Sequence, residues 1–343
     1  MEKVTSLQEI GEFGLIHELQ KTVTLRNQTT RLGIGDDAAI MEPSKKRIVV
    51  SADMLVEGVH FDLTFCPLRH LGYKAVAVNV SDIAAMNAVP TQIIVSLAIG
   101  SRYTVEAIKE LYEGMRIACE NYKVDLVGGD TTSSNSGLII NITAMGEADP
   151  EDITLRSTAQ ENDLVCVTGD LGAAFLGLQI LEREKQAFLA VPEPQPELEN
   201  KQYLVQRQLR PEARMDFIYE LKELGVKPTS MIDVSDGLAS ELMHICGQSN
   251  VGAAIYQDKL PVDQQVLDTA EEFKMDPVTC VLNGGEDYEL LFTVKLSDFD
   301  KIKNHPDIAM IGKITPKEEG ISLVTPSGNG FPLKAQGWQH FRN

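Results

Sequence analysis

Several absences bound what this chain can be. No apolar run approaches the ~18 residues that a bilayer-spanning helix requires, so no membrane partner is expected. The opening stretch, "MEKVTSLQEIGEFGLIHEL", has neither the basic n-region nor the apolar h-region of a signal peptide, which leaves the cytoplasm as the expected compartment. Cysteine is sparse: Cys66, Cys119, Cys166, Cys246 and Cys280 are odd in number, scattered and without a CxxC pair. That argues against a disulfide framework and against a structural zinc site. Positive charge is short as well, with 31 Lys and Arg against 50 Asp and Glu, a net charge of −19. Nucleic acid backbones need clustered cations, so no nucleic-acid partner is expected. There is no G-x-x-x-x-G-K-[ST], no H-R-D with a downstream D-F-G and no G-x-S-x-G. P-loop, protein-kinase and α/β-hydrolase chemistry therefore do not fit.

What is present is ordinary in bulk. A chain of 343 residues, 43% hydrophobic and 24% charged, is long enough for two domains with separate cores. Helical periodicity is visible at "EFGLIHELQ", "TVEAIKELYEGMRIACENYK" and "LASELMHICGQS". Strand-like runs are "RIVVSAD", "TQIIVSLAIG", "GLIINITAMGEA", "DLVCVTG" and "YELLFTV". Their alternation predicts a layered α/β or α+β architecture. A polar, proline-containing connection between Gly146 and Val165 predicts domains at residues 1–148 and 149–343. The Pro/Glu-rich stretch at 191–203 reads as a solvated loop or helix-to-helix connection.

The acids are distributed unusually. "RLGIGDDAAI" sets Asp36 beside Asp37 with no Lys or Arg inside the turn. Six further segments bring an apolar run to an acid beside Gly or Ser: "VVSADMLVEGVHF", "AVNVSDIAAM", "DLVGGDTTSS", "CVTGDLGAA", "MIDVSDGLASEL" and "VLNGGEDYELLF". The acids concerned are Asp53, Asp82, Asp130, Asp170, Asp233 with Asp236, and Glu286 with Asp287. Each is expected at the end of a strand, where α/β proteins place ligands. Helix capping is the competing explanation, with Ser81 or Asp82 and Asp236 as the caps. Capping does not explain the Asp36–Asp37 pair, nor why acids outnumber Ser, Thr and Asn at so many junctions. Carboxylates that converge raise one another's pKa, and a hard divalent cation removes that penalty. Oxygen ligands without a His or Cys cluster point to Mg²⁺ or Mn²⁺, which shares its shell with substrate phosphates. The glycines of "LGIGDD", "VGGDTT" and "NGGEDY" are expected to let backbone approach those phosphates. From the residues alone, the chain reads as a Mg²⁺-dependent enzyme handling nucleoside phosphates outside the standard kinase folds.

These segments, together with "GYKAVAVNVSDIAAMNAVP" and the C-terminal "GWQHF", resemble in order and content the thiamine-monophosphate kinase family of the aminoimidazole-ribonucleotide-synthetase-like superfamily. The resemblance covers nearly the whole chain; "LVEGVHF", "NGGEDYEL" and the terminal "GW" are its most specific parts. It implies a two-domain α/β fold whose N-terminal sheet pairs with that of a second subunit in a homodimer. It implies transfer of the ATP γ-phosphoryl to thiamine monophosphate, giving thiamine diphosphate and ADP, with several Mg²⁺ ions and no general base. Asp36, Asp53, Asp82, Asp130, Asp233 and Asp236 match the family's metal ligands, and Ser51 and Ala52 lie where it often supplies a further oxygen. Tyr112, Gly129, Asp130, Arg156 and Ser235 match its ATP contacts. His60, Glu286 and Trp338 match its substrate positions. Two departures stand out: Ala52 replaces a common threonine, and Asn87 a usual glycine. The rival readings are another ATP-dependent synthetase of the superfamily and a non-catalytic acidic protein that binds divalent cations.

Overall fold

The computed structural model describes residues 7–34, 39–42, 45–190 and 198–336. Asp36, Asp37, Trp338 and residues 191–197 lie outside the described residues. The chain divides into two compact units, one comprising residues up to Ile83 with Ala88–Glu151, the other Ala84–Asn87 with Asp152 onward.

The first unit runs α1 (Leu7–Gln20), β1 (Thr30–Leu32), β2 (Ile40–Met41), β3 (Arg47–Val56), α2 (Leu68–Ala85), β4 (Val89–Gly100), α3 (Val105–Tyr122), β5 (Asp125–Ser134) and β6 (Ile139–Ala148). Its main sheet has the order β3-β6-β4-β5, antiparallel except for β4 with β5, which α3 joins as a crossover. Helix α3 follows its sequence pattern. Thr104 caps it by accepting the Ala107 N–H, and Val105, Ile108, Leu111, Tyr112, Met115, Ala118 and Cys119 form its buried stripe. At the other end Lys123 turns the chain in the left-handed conformation.

Helix α2 corrects the sequence reading. "AVNVSDIAAM" was expected to be a strand meeting an acid; it lies inside one helix of 18 residues, with Asp82 in its last turns. All of residues 71–81 are buried. A helix enclosed on every side shows no polar stripe, so its sequence looks like a strand's apolar run. Two glycines allow the enclosure. A Cβ on Gly72 would stand 1.9 Å from the Leu111 carbonyl oxygen, and one on Gly114 would stand 1.9 Å from that of Arg69. The backbones of α2 and α3 therefore touch at this crossing.

Asp53 and Asp130 are also displaced from the expected strand ends, each lying inside a ten-residue strand. On β3 the side chains alternate: Ile48, Val50, Ala52 and Met54 are exposed, while Ser51, Asp53 and Leu55 turn to the helix-covered face.

The second unit runs β7 (Leu164–Thr168), α4 (Ala173–Ala190), α5 (Gln202–Leu209), α6 (Met215–Glu223), β8 (Ser230–Asp233), α7 (Leu238–Ser249), β9 (Gly252–Tyr256), α8 (Gln264–Glu272), α9 (Pro277–Asn283), β10 (Leu290–Val294), α10 (Phe299–Ile302), β11 (Ile308–Thr315), β12 (Ile321–Val324) and β13 (Gly330–Pro332). Seven strands form one sheet in the order β13-β12-β9-β11-β7-β10-β8, in which only β12 and β9 are parallel neighbours. All five residues of β10 are buried, as a strand covered on both faces requires. Val165, Val167, Ile232, Val234, Leu238, Leu242, Ile255 and Leu291 form the centre of its main core. Here too one expectation is corrected: Glu286 and Asp287 precede β10 in the loop after α9 rather than ending a strand. At Asn87 φ is 56°, a left-handed conformation that Asn tolerates in place of the usual glycine.

Replacing Gly72 by Ala should destabilise the fold by about 3 kcal/mol or more, because the obstructing atom is backbone and overpacking ordinarily costs about 1–3 kcal/mol. Gly247, exposed in α7 with nothing within 4 Å of a built Cβ, is the control: Gly247→Ala should be stabilising by about 0.5–1 kcal/mol. Urea unfolding of the two variants against the parent checks both.

Candidate active site

In the first unit the structure brings Ser51, Asp53 and Asp82 together. The Ser51 hydroxyl donates to Asp82 Oδ2, tying β3 to α2. The Asp53 N–H donates to Asn79 Oδ1 at 3.1 Å, and the Asn79 amide in turn donates to the Ala75 carbonyl at 2.9 Å. From the neighbouring strand Asn141 Nδ2 donates to the Asp53 carbonyl at 3.1 Å. Burial, then the negative charge of Asp82, pushes the Asp53 carboxyl up to about 6. Both influences act against the charged form, and a bound cation would oppose both. Asn79 is a positioning residue that the sequence reading missed; its signal was a lone amide inside an apolar run.

Asp130 is exposed and accepts the N–H of Thr131 at 2.9 Å. By register it shares a row with Ser96, Asn141 and Met54, one step out of phase with Asp53. Three inter-strand spacings put the Asp53 and Asp130 backbones about 14 Å apart. One Mg²⁺ ion, with ligand distances of about 2.0–2.1 Å, does not span that gap. Among the described residues no group of three or more His, Cys, Asp and Glu side chains forms a ready cation cage. The pair Asp53–Asp82 nevertheless fits Mg²⁺, which is ordinarily held by one or two carboxylates with substrate phosphates and water completing the shell. Ala52 turns its methyl to the opposite, exposed face of β3, so only its backbone is available on the Asp53 side.

Two of the glycines serve close approach within the fold itself. A Cβ on Gly129 would lie 1.9 Å from the Val95 carbonyl oxygen, and one on Gly285 would lie 2.5 Å from that of Ser235. Close approach within the fold already requires glycine at both positions. Tyr112 is buried on α3 and lines a small cavity with Thr22, Thr24, Arg26, Arg116 and Leu126; none of the candidate acids borders it. His60 sits in the turn after β3, where its Nδ1 accepts the Val56 N–H at 3.0 Å. Glu57 anchors that turn by accepting the Tyr103 hydroxyl at 2.7 Å and the Leu138 N–H at 2.8 Å, with Arg102 against its other oxygen.

In the second unit Ser235, Asp236 and Arg156 gather around Glu241, which the sequence reading did not single out. The Glu241 carboxylate accepts the Asp236 N–H at 2.9 Å. Burial above all, and then the Asp236 charge, pushes it up to about 7, against the opposing pull of the Asp236 N–H, Arg156 and Ser235. Helix capping, the competing explanation for Asp236, does not hold there: the cap residue of α7 is Gly237, at φ 116°, and Glu241 reaches back to the turn. A Glu in the first turn after Ser or Asp was the available signal. Asp233 ends β8, buried, opposite Leu290.

Glu286 has φ 59°, rare for a residue with a side chain. Its N–H donates to the Ser235 carbonyl at 2.7 Å, and its Oε2 accepts Gln208 Nε2 at 2.6 Å. The neighbouring acids have structural work. Asp287 accepts the N–H groups of Gly172 and Ala174 at 2.8 and 3.2 Å, closing the start of α4. Glu289, buried, accepts Arg207 Nη1, Arg214 Nη1 and the Thr168 hydroxyl at 2.8, 2.8 and 2.6 Å. Asp170 accepts the Tyr203 hydroxyl.

Comparison with known proteins adds a second line. Residues 35–148 match the family described as AIR synthase related protein, N-terminal domain. The thiamine-monophosphate kinase of Bacillus subtilis (strain 168) is 36% identical over 339 residues, 97% of this chain and 100% of that protein. A solved structure described as AaThiL complexed with AMPPCP and TMP superposes with a TM-score of 0.75 at 33% identity, covering 98% of each chain. The crystal structure of thiamine-monophosphate kinase from Stenotrophomonas maltophilia K279a gives 0.79 at 32%, covering 94% of this chain and 98% of that one. Similarity at this level covers nearly the whole chain and so runs through both units, and on it the chain belongs to the thiamine-monophosphate kinase family.

Proposed function

We infer that the protein is an ATP-dependent kinase of thiamine monophosphate. It transfers the γ-phosphoryl of ATP to the substrate phosphate, giving thiamine diphosphate and ADP. The observation that carries the reading is similarity over nearly the whole chain to named kinases of this substrate, with a fold close to that of a complex with AMPPCP and TMP. The acceptor is a phosphate oxygen whose second pKa is ≈ 6, so the reaction needs positioning and charge neutralisation more than a base.

The metal assignment is our proposal. Asp53 and Asp82, with Asp36, Asp130, Asp233 and Asp236, hold Mg²⁺, and Ser51 with the Ala52 carbonyl supports them. When bound, the ions neutralise and align the two polyanions. With backbones about 14 Å apart by strand spacing, Asp53 and Asp130 belong to different ions in this proposal. Arg156 and Ser235, gathered at Glu241, with Gly129, Asp130 and Tyr112 make the nucleotide set. His60, Glu286 and Trp338 make the substrate set. We also propose a homodimer through the open face of the β3-β6-β4-β5 sheet, supported by the exposure of Ile48, Val50 and Met54. A cytoplasmic location is supported by the five cysteines, all buried and free.

A coupled ADP-release assay tests the activity. Thiamine monophosphate should stimulate release where thiamine does not; failure to do so with Mg²⁺ and ATP present would overturn the reading. Asp82→Asn should leave the melting temperature near the parent value and abolish transfer, and normal turnover would remove Asp82 from the metal set.

Mg²⁺ must displace the proton on Asp53. With the folded carboxyl near 6, apparent Mg²⁺ affinity should rise from pH 5 to pH 7 and level off above. Calorimetric titration at several pH values should show proton release on that slope, and Asp53→Asn should flatten it.

Val50→Glu places a charge on the open sheet face and should shift the protein from dimer to monomer in sedimentation velocity.

A further inference from the structure

Helix α5 does more than pack. Its eight residues send three polar side chains to the two loops that flank β7 and β10. The Tyr203 hydroxyl meets Asp170 in the turn after β7. Arg207 meets the Asp170 carbonyl at 3.1 Å and Glu289 at 2.8 Å. Gln208, 5% exposed, donates to Glu286 Oε2 at 2.6 Å. The loop that carries Glu286 is held on every side. Glu286 and Tyr288 donate their N–H groups to the carbonyls of Ser235 and Val234, and the Val234 N–H donates to the Glu289 carbonyl. Asp287 closes the start of α4. Within this loop Gly285, Glu286 and Tyr288 all have positive φ. Glu286 and Tyr288 carry side chains, and two such residues so close together persist where the surroundings over-determine the backbone.

We propose that Gln208 is a positioning residue for substrate binding: its amide fixes the rotamer of the Glu286 carboxylate before thiamine monophosphate arrives. The backbone bonds place the Glu286 Cα, and the Gln208 amide reaches one oxygen of its carboxylate. A hydrogen bond to one carboxylate oxygen settles the last torsion and so sets the direction of the other. The entropy of ordering a rotamer-rich side chain is then met on folding rather than on binding. Gln suits this role better than Lys or Arg would. It donates a hydrogen bond without itself adding a positive charge to the site. The inference rests on the reading of Glu286 as a substrate contact.

The test is a double-mutant cycle on the full-length enzyme, with Gln208→Met, Glu286→Ala and the pair. Methionine keeps the length of the side chain and removes the donor. In Gln208→Met the KM for thiamine monophosphate should rise about tenfold, the loss of one hydrogen bond to a charged group, with the KM for ATP within twofold of the parent. In the Glu286→Ala background the Gln208→Met change should add less than twofold, because its target is gone. Penalties that multiply in the pair, or equal rises in both KM values, would assign Gln208 a general structural role and overturn the proposal. An unchanged KM in Gln208→Met beside a raised one in Glu286→Ala would overturn the positioning role and leave the Glu286 reading intact. An unchanged KM in Glu286→Ala would overturn that reading itself, and the positioning role with it. Gln208→Ala repeats the cycle if methionine is not accommodated.

Discussion

A buried carboxylate has to be answered by a hydrogen-bond donor, a cation or a proton, and this acidic chain buries many. For some of them the answers are built in. Glu289 has Arg207, Arg214 and Thr168 around it, and Asp287 takes two N–H groups from the start of α4. Removing one partner from such a buried set typically costs about 3–5 kcal/mol, since the other charge is stranded. For others the answer is incomplete: burial and Asp82 together push Asp53 up, and burial pushes Glu241 up. The fold tolerates that because Asp53 is clamped through its backbone by Asn79 and Asn141. A site held by backbone while its carboxylate is under electrostatic load suits a ligand that brings positive charge.

The acids that looked alike in the chain therefore divide by what answers them. Asp170, Asp287 and Glu289 hold elements together. Asp53 lies on β3 and Asp82 on α2, with the Ser51 hydroxyl tying the two elements, and Asp233 and Asp236 lie at the end of β8 and in the turn after it. Glu241 shows how the two groups connect, since its carboxylate holds the Asp236 N–H while Arg156 and Ser235 stand against it. Glycine divides in the same way. Gly72 and Gly114 serve a helix crossing, and Gly129 and Gly285 serve close approach of neighbouring backbone. None of these four needs a phosphate to explain it.

Much of this was legible. Helices α3 and α7 and strands β3, β4, β6, β7 and β10 follow from periodicity, because each has one face or one run whose burial the pattern records. Helix α2 did not follow, because complete burial erases the polar stripe that distinguishes a helix. Asp53 and Asp130 were misplaced by half a strand for a related reason. Small polar residues such as Ser51 and Gly129 look like turn formers, and only the pairing of β3 with β6 and of β5 with β4 keeps them extended.

By itself the sequence pointed to the chemical class: oxygen donors without a His or Cys cluster, glycines beside acids, and motifs in a family order. These are matters of composition and local order, which the chain carries before it folds. The tertiary structure alone decided which acid meets which partner. The Ser51–Asp82 bond, the 26-residue step from Asp53 to Asn79 and the 78-residue step from Gln208 to Glu286 join positions that no local pattern relates. Hydrogen bonds act over about 3 Å, and only packing brings such distant positions within that range.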